Sequence, residues 1–216
     1  MDIAIIGAGN VGRALATSFV RAGHSVTIAS RDPEHAGSVA AATGARVAGS
    51  NAQAVAGADI VVLATPFASA SDIAAEIGEA VTGKAVVDVS NRMSFGTNGP
   101  EIDTTTSNAE ELARLLPGAH IVKAFNTLFA PNQEDPIVEG IRLDGYVAGD
   151  DPDANVKVLE LVASIGLDPV EVGPLSRARQ LEGLAFLNIT LNVAKGGTWQ
   201  SGWKLVGAPA TVPVAA

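Results

Sequence analysis

The sequence predicts an α/β fold in which helices cover both faces of a doubly wound parallel sheet. Three observations carry this. Short apolar runs rich in Val, Ile and Ala alternate with amphipathic stretches through residues 1–150. The runs are continuously apolar, as strands buried on both faces must be. A glycine-rich turn, Gly7-Ala8-Gly9-Asn10-Val11-Gly12, joins the first run to the first amphipathic stretch.

The elements follow in order. Strands are expected over 3–7, 25–29, 46–48, 59–64, 85–89, 120–125 and 144–148, bounded by Gly, Asp, Asn or Pro. Helices are expected over 11–22, 33–43, 69–80 and 108–116. Asp32 suits an N-cap and Pro33 a first helical position. Ser107 or Asn108 caps the helix carrying Glu110 and Glu111. After Asp150 the rhythm changes. Asp151-Pro152 opens a helix to Ile165, a strand covers 169–172, and a helix runs from Ser176 to Ala194 before Gly196-Gly197. Residues 1–150 are therefore expected to form a dinucleotide-binding domain. Residues 151–216 form a small C-terminal α/β extension packed on it, walling one side of a cleft. The final "GAPATVPVAA" has two prolines and no periodicity, and reads as an extended tail.

Composition narrows the function. Hydrophobic residues make up 47% of the 216 and charged residues 17%, so a sizeable core can form. A formal net charge of −9 argues against nucleic-acid or anionic-membrane partners. No cysteine is present, which excludes thiolate catalysis and zinc–sulfur sites. His24, His35 and His120 lack metal-ligand spacing, so no metal site is expected. No basic segment with an apolar stretch precedes Ile3, and no apolar run is long enough to span a bilayer. A cytoplasmic protein is expected.

The turn fits the dinucleotide fingerprint G-x-G-x-x-G. Gly7 permits the tight turn, Gly9 lets backbone approach a pyrophosphate, and Gly12 lets helix pack on strand. The fold expected is therefore of the Rossmann type. An NAD site would place an acid at the end of the second strand, but Ser30-Arg31 stands there. A hydroxyl and a guanidinium attract a ribose 2′-phosphate. His35 adds a third contact when protonated. The expected cofactor is NADP(H), with Asp32 acting as a helix cap. At the other strand ends, Pro66, Phe67 and Phe125 offer an apolar wall, and Ala64, Thr65, Asn91, Asn126 and Thr127 offer polar or backbone contacts.

The motifs "GAGNVG", "ASR", "ATPF", "VVDVSN", "VKAFNT", "AGDDPDA" and "GPLSRARQLEGL" occur in this order. Together they make nearly the whole chain resemble the NADPH-dependent reductases of the deazaflavin coenzyme F420. "VKAFNT" and "LSRAR" also resemble the NADPH-binding domain of six-transmembrane metalloreductases. The resemblance implies a homodimer in which NADPH and the deazaflavin meet in the cleft and hydride passes directly between two carbons. It places Gly7, Gly9, Asn10, Val11 and Gly12 on the pyrophosphate and Ser30 and Arg31 on the 2′-phosphate. Asn126 stands where archaeal members carry histidine. Ring-to-ring hydride transfer needs alignment and no obligate catalytic side chain. Lys123 and Lys195 are the possible proton donors for a hydroxy-acid or imine dehydrogenase, and both read as structural. Flavin, quinone or ferric reduction, and a non-catalytic NADPH sensor, are alternatives that the same residues allow. Trp199 and Trp203 read as packing residues in the core or at a dimer contact.

Overall fold

The computed structural model describes residues 1–97 and 99–207. Of the expected tail, residues 207–216, all but Gly207 lie outside them. In order, the chain forms β1 (Asp2–Ile6), α1 (Asn10–Arg21), β2 (Ser25–Ala29), α2 (Pro33–Thr43), β3 (Arg46–Val47) and α3 (Asn51–Ala56). Then come β4 (Ile60–Leu63), α4 (Ala70–Ile77), β5 (Ala85–Asp88), β6 (Met93–Gly96), β7 (Gly99–Ile102) and α5 (Asn108–Leu115). Next are β8 (His120–Ala124), α6 (Ala130–Glu134), β9 (Ile137–Val138), β10 (Ile141–Arg142) and β11 (Asp144–Gly149). The last three are α7 (Pro152–Ser164), β12 (Asp168–Gly173) and α8 (Ala178–Lys195).

An eight-stranded sheet has the order β12-β11-β8-β5-β4-β1-β2-β3. Strand order reverses at β1, which pairs in parallel with β2 on one side and β4 on the other. Alternate side chains of each strand feed opposite cores. Ile3 and Ile5 join Leu15 and Phe19 of α1, Val39 of α2 and Val162 of α7. Ala4 and Ile6 join Val55 of α3, Ile73 of α4 and Leu112 of α5. This two-sided burial is why the strands read as unbroken apolar runs.

The expectation of a parallel sheet needs one correction. β11 runs antiparallel to β8, with Val147 opposite Ala124 and Gly149 opposite Val122. β12 is parallel to β11 and shares its reversed direction. After Ala124 the chain turns back through α6 and the β9–β10 hairpin at the same end of the sheet. No crossover is needed, and an antiparallel neighbour results. The sheet is mostly parallel, of the Rossmann type.

Two helix starts match their expected caps. The Asp32 side chain accepts from His35 N–H at 3.0 Å. Ser107 and Glu110 form a reciprocal capping box on α5. Helix α8 buries Leu181, Glu182, Ala185, Asn188 and Asn192, a stripe with helical spacing. Its other side exposes Leu187, Leu191 and Val193.

Candidate active site

The glycine turn lies where strand order reverses, between β1 and α1. Each glycine there has a separate reason. Gly7 has φ of 112°, and a Cβ on it would lie 2.3 Å from the Ala64 carbonyl oxygen. A Cβ on Gly12 would lie 2.0 Å from the Gly7 carbonyl oxygen. Gly9 faces open space, with nothing among the described residues within 4 Å of its Cβ position. Gly9 also caps α1 without a side-chain bond, and no acid occupies the first turn. The first helical bond is Arg13 N–H to Gly9 O at 2.8 Å, so the amides of Asn10, Val11 and Gly12 have no helical acceptor. Unpaired N–H groups at a helix start, beside open space, fit an anionic group such as a pyrophosphate.

On one side of the turn is a cavity of about 520 Å³. Gly7, Gly9, Ser30, Arg31, Ala64, Thr65 and Pro66 line it. Arg31 is exposed and forms no ion pair among the described residues. Asp32 is committed as the α2 cap, as the sequence suggested. His35 turns toward the glycine turn, where its Nε2 donates to Ala8 O at 2.9 Å, and is not part of this lining. Asp72 and Glu76 of α4 also reach the cavity, which the sequence did not reveal. Asn51 Nδ2 donates to Glu76 at 2.5 Å.

On the other side is a cavity of about 440 Å³. It gathers Asn10, Val11, Asn91, Asn126 and Thr127 from the expected set. Asn91 Nδ2 donates to Asn126 O at 3.3 Å, and Asn126 Nδ2 donates back to Asn91 Oδ1 at 2.9 Å. This pair ties the ends of β5 and β8 together. Asn126 Oδ1 is buried and has no hydrogen-bond partner among the described residues. The apolar wall is made of Val11, Met93, Phe95, Phe129 and Trp199. Trp199 meets Phe129 edge-on, with ring centroids 5.2 Å apart, so this tryptophan lines the cavity. Trp203 packs against the small cluster of Tyr146, Ala148 and Leu181.

Two of the expected wall aromatics lie elsewhere. Phe125 is 1% exposed and packs edge-on to Phe19 at 5.9 Å, in the core. Its φ of 61° is unusual for a residue with a bulky side chain. It turns the chain out of β8 so that Asn126 and Thr127 reach the cavity. Phe67 sits under the Arg92 guanidinium at 5.8 Å, in a separate recess with Met93 and Glu101.

No ionisable side chain lines the second cavity among the described residues. Charge is held behind its wall instead. Lys123 is 0% exposed, and its Nζ lies 2.7 Å from Asp88 Oδ2 and 2.8 Å from Glu182 Oε1. It also donates to Ser90 O. Lys123 is thus held inside the ion cluster and does not line the cavity, and Lys195 is exposed at the end of α8. Among the described residues no cluster of three or more His, Cys, Asp or Glu is placed to hold a metal ion. No helix there is long and apolar enough to cross a membrane.

Comparison with known proteins gives a consistent result. Residues 2–92 match the family model described as NADP oxidoreductase, coenzyme F420-dependent. The F420-dependent NADP reductase of Methanothermobacter thermautotrophicus is 34% identical over 210 residues, covering 89% of this chain and 90% of the relative. The rat metalloreductase STEAP3 is 31% identical over 182 residues, covering 84% of this chain. There the chain spans only 36% of the relative's length. A crystal structure from Arthrobacter sp. FB24, assigned as an F420-dependent NADP reductase, superposes with a TM-score of 0.86 at 32% identity. It covers 95% of this chain and 99% of that one. A Streptomyces aurantiacus imine reductase, at 20% identity and a TM-score of 0.60, shares the fold alone.

Proposed function

The chain belongs to the family of coenzyme F420-dependent NADP oxidoreductases and is an NADP-linked oxidoreductase, and we propose that its partner substrate is the deazaflavin coenzyme F420. One observation carries the reading. The glycine turn separates two cavities, and the second has no ionisable group in its described lining. A reductase of imines or keto acids needs a proton donor at the reacting atom. A cavity of amides and apolar side chains suits hydride transfer between two rings.

In this reading NADP(H) and F420 supply the hydride chemistry, and the protein supplies binding, alignment and exclusion of water. The free amides of Asn10, Val11 and Gly12 hold the pyrophosphate beside Gly7 and Gly9. Ser30 and Arg31 hold the 2′-phosphate, and Ala64, Thr65 and Pro66 wall the nucleotide side. His35 supports the turn through its bond to Ala8 O. Asn91, Asn126 and Thr127 orient the rings, while Phe67 and Phe125 act from behind by shaping the strand ends. Residues 1–150 thus serve as the NADP(H)-binding part. Residues 151–216 wall the acceptor side through Ala185, Asn188 and Trp199. The exposed Leu187, Leu191 and Val193 of α8 support a homodimer through this helix. We place the protein in the cytoplasm, with small-molecule partners.

The test is absorbance. Mixing the protein with NADPH and F420 bleaches the visible band of the deazaflavin, and NADH does so far more slowly. Rapid reduction of a flavin with F420 left untouched would move the assignment to flavin reduction. Binding of NADPH with no acceptor reduced would leave an NADPH-binding protein.

A further inference from the structure

The ion cluster behind the acceptor cavity has one more carboxylate than ammonium. Asp88, Lys123 and Glu182 are each no more than 1% exposed. The hydrogen-bond partners of both acids are almost all donors. Asp88 Oδ1 accepts from Ser90 N–H at 3.1 Å, Ser90 Oγ at 2.7 Å and Asn108 Nδ2 at 3.0 Å, while Oδ2 accepts from Lys123. Glu182 Oε1 accepts from Lys123 and from Asn108 N–H at 2.9 Å, and Oε2 accepts from Arg92 N–H at 2.9 Å. All of these partners except the Ser90 hydroxyl can only donate, and that hydroxyl already accepts from Asn108 Nδ2 at 2.7 Å, so the cluster is arranged to hold both acids as carboxylates. The cluster carries a net single negative charge. The nearby Arg92–Asp103 and Arg179–Glu110 contacts are each neutral pairs and do not cancel it.

The cluster sits immediately behind the wall. Val89 and Asn91 line the cavity, and Ser90 between them is held by Asp88 and Lys123. Ala185 lines it too, one helical turn beyond Glu182. A surplus charge buried there is poorly screened by salt. A stable fold alone does not call for it, because a buried ionic cluster is often no more stabilising than apolar packing.

We propose that Asp88 and Glu182 are electrostatic positioning residues whose surplus negative charge makes this site favour the oxidised, cationic nicotinamide over the reduced, neutral one. The proposal rests on the nicotinamide ring occupying this cavity. Neither acid touches the cofactor. They act through the field across the wall and through the Ser90 and Arg92 backbone that carries Asn91. At an effective dielectric constant near 20, one charge acting across roughly 5–10 Å changes relative affinity by about tenfold or more.

The experiment compares equilibrium binding of NADP⁺ and NADPH by calorimetry, with no acceptor present. The wild type binds NADP⁺ at least as tightly as NADPH. Glu182→Gln and, independently, Asp88→Asn each weaken NADP⁺ relative to NADPH by about tenfold. Glu182→Asp, which keeps the charge, restores the wild-type ratio. A wild type that clearly prefers NADPH would overturn the proposal without any variant. So would neutral variants that lose affinity for both forms equally, since that is the signature of a purely structural role. Failure of the wild type to bind either form would instead sink the cofactor assignment beneath it.

Discussion

Replacing Arg31 with alanine isolates the choice of dinucleotide. The side chain is exposed and forms no ion pair among the described residues, so its loss should cost the fold almost nothing. Its expected gain comes only from a 2′-phosphate. A charge-assisted hydrogen bond contributes about 1.5–3 kcal/mol when well placed. Exposure and physiological salt screen this one, which leaves about 1–2 kcal/mol. NADPH affinity should therefore fall roughly 5- to 30-fold in Arg31→Ala, with NADH affinity unchanged. The loss should also shrink at high salt. Fluorescence titration with both nucleotides at two ionic strengths measures this directly, and the unfolding midpoint serves as the control. Equal losses for NADPH and NADH, or none for NADPH, would refute the assignment of Arg31 to the 2′-phosphate.

Three further outcomes follow from the same geometry. Gly9→Ala meets no atom within 4 Å, so it should leave thermal stability unchanged while weakening NADPH binding at least tenfold by blocking backbone approach. Gly12→Ala brings its Cβ to 2.0 Å from the Gly7 carbonyl oxygen. It should destabilise by about 1–3 kcal/mol, lowering the calorimetric midpoint by several degrees. The Arg179 guanidinium holds the Glu110 carboxyl below its ordinary range, helped by bonds from Ser107. A depressed folded-state value stabilises above the unfolded carboxyl range and stops doing so as pH falls through it. Arg179→Ala should therefore lower the midpoint at neutral pH, and its gap from the wild type should close on acidification. A gap independent of pH would show that packing, and not charge, accounts for the pair.

The glycine turn, the Ser30-Arg31 tip and the order of the first strands were legible because their signals are local. A strand, a turn of three spaced glycines and a helix follow within one short segment. Strand direction was not legible in the same way. Residues Asp144–Gly149 are buried throughout, and an unbroken apolar run reads alike in either direction. Helix α3 holds six residues and α6 five, too few to show a helical period. Helix α3 is held by its Ser50 cap, and α6 packs on α1, where Ser18 Oγ donates to Gln133 O at 2.6 Å. The β6–β7 hairpin is largely exposed and brings Met93 and Phe95 to the acceptor cavity, with no apolar run to announce it. The place of Lys123 in a strand suggested a buried side chain, and it is buried. Its partners could not be read, since Asp88 and Glu182 lie 35 and 59 residues away. Phe125 looked like cleft wall because it ends a strand, but the positive φ there turns its ring into the core.

The central claim is that hydride passes directly between the nicotinamide and a deazaflavin, with no proton donor among the described side chains that line the cavity. It is tested most directly by running NADPH deuterated at the transferring position of C4 against F420 in ordinary water and locating the label. The account predicts deuterium retained on the ring carbon of the reduced deazaflavin. Label lost to solvent, or no reduction of F420 by an enzyme that binds NADPH, would contradict it.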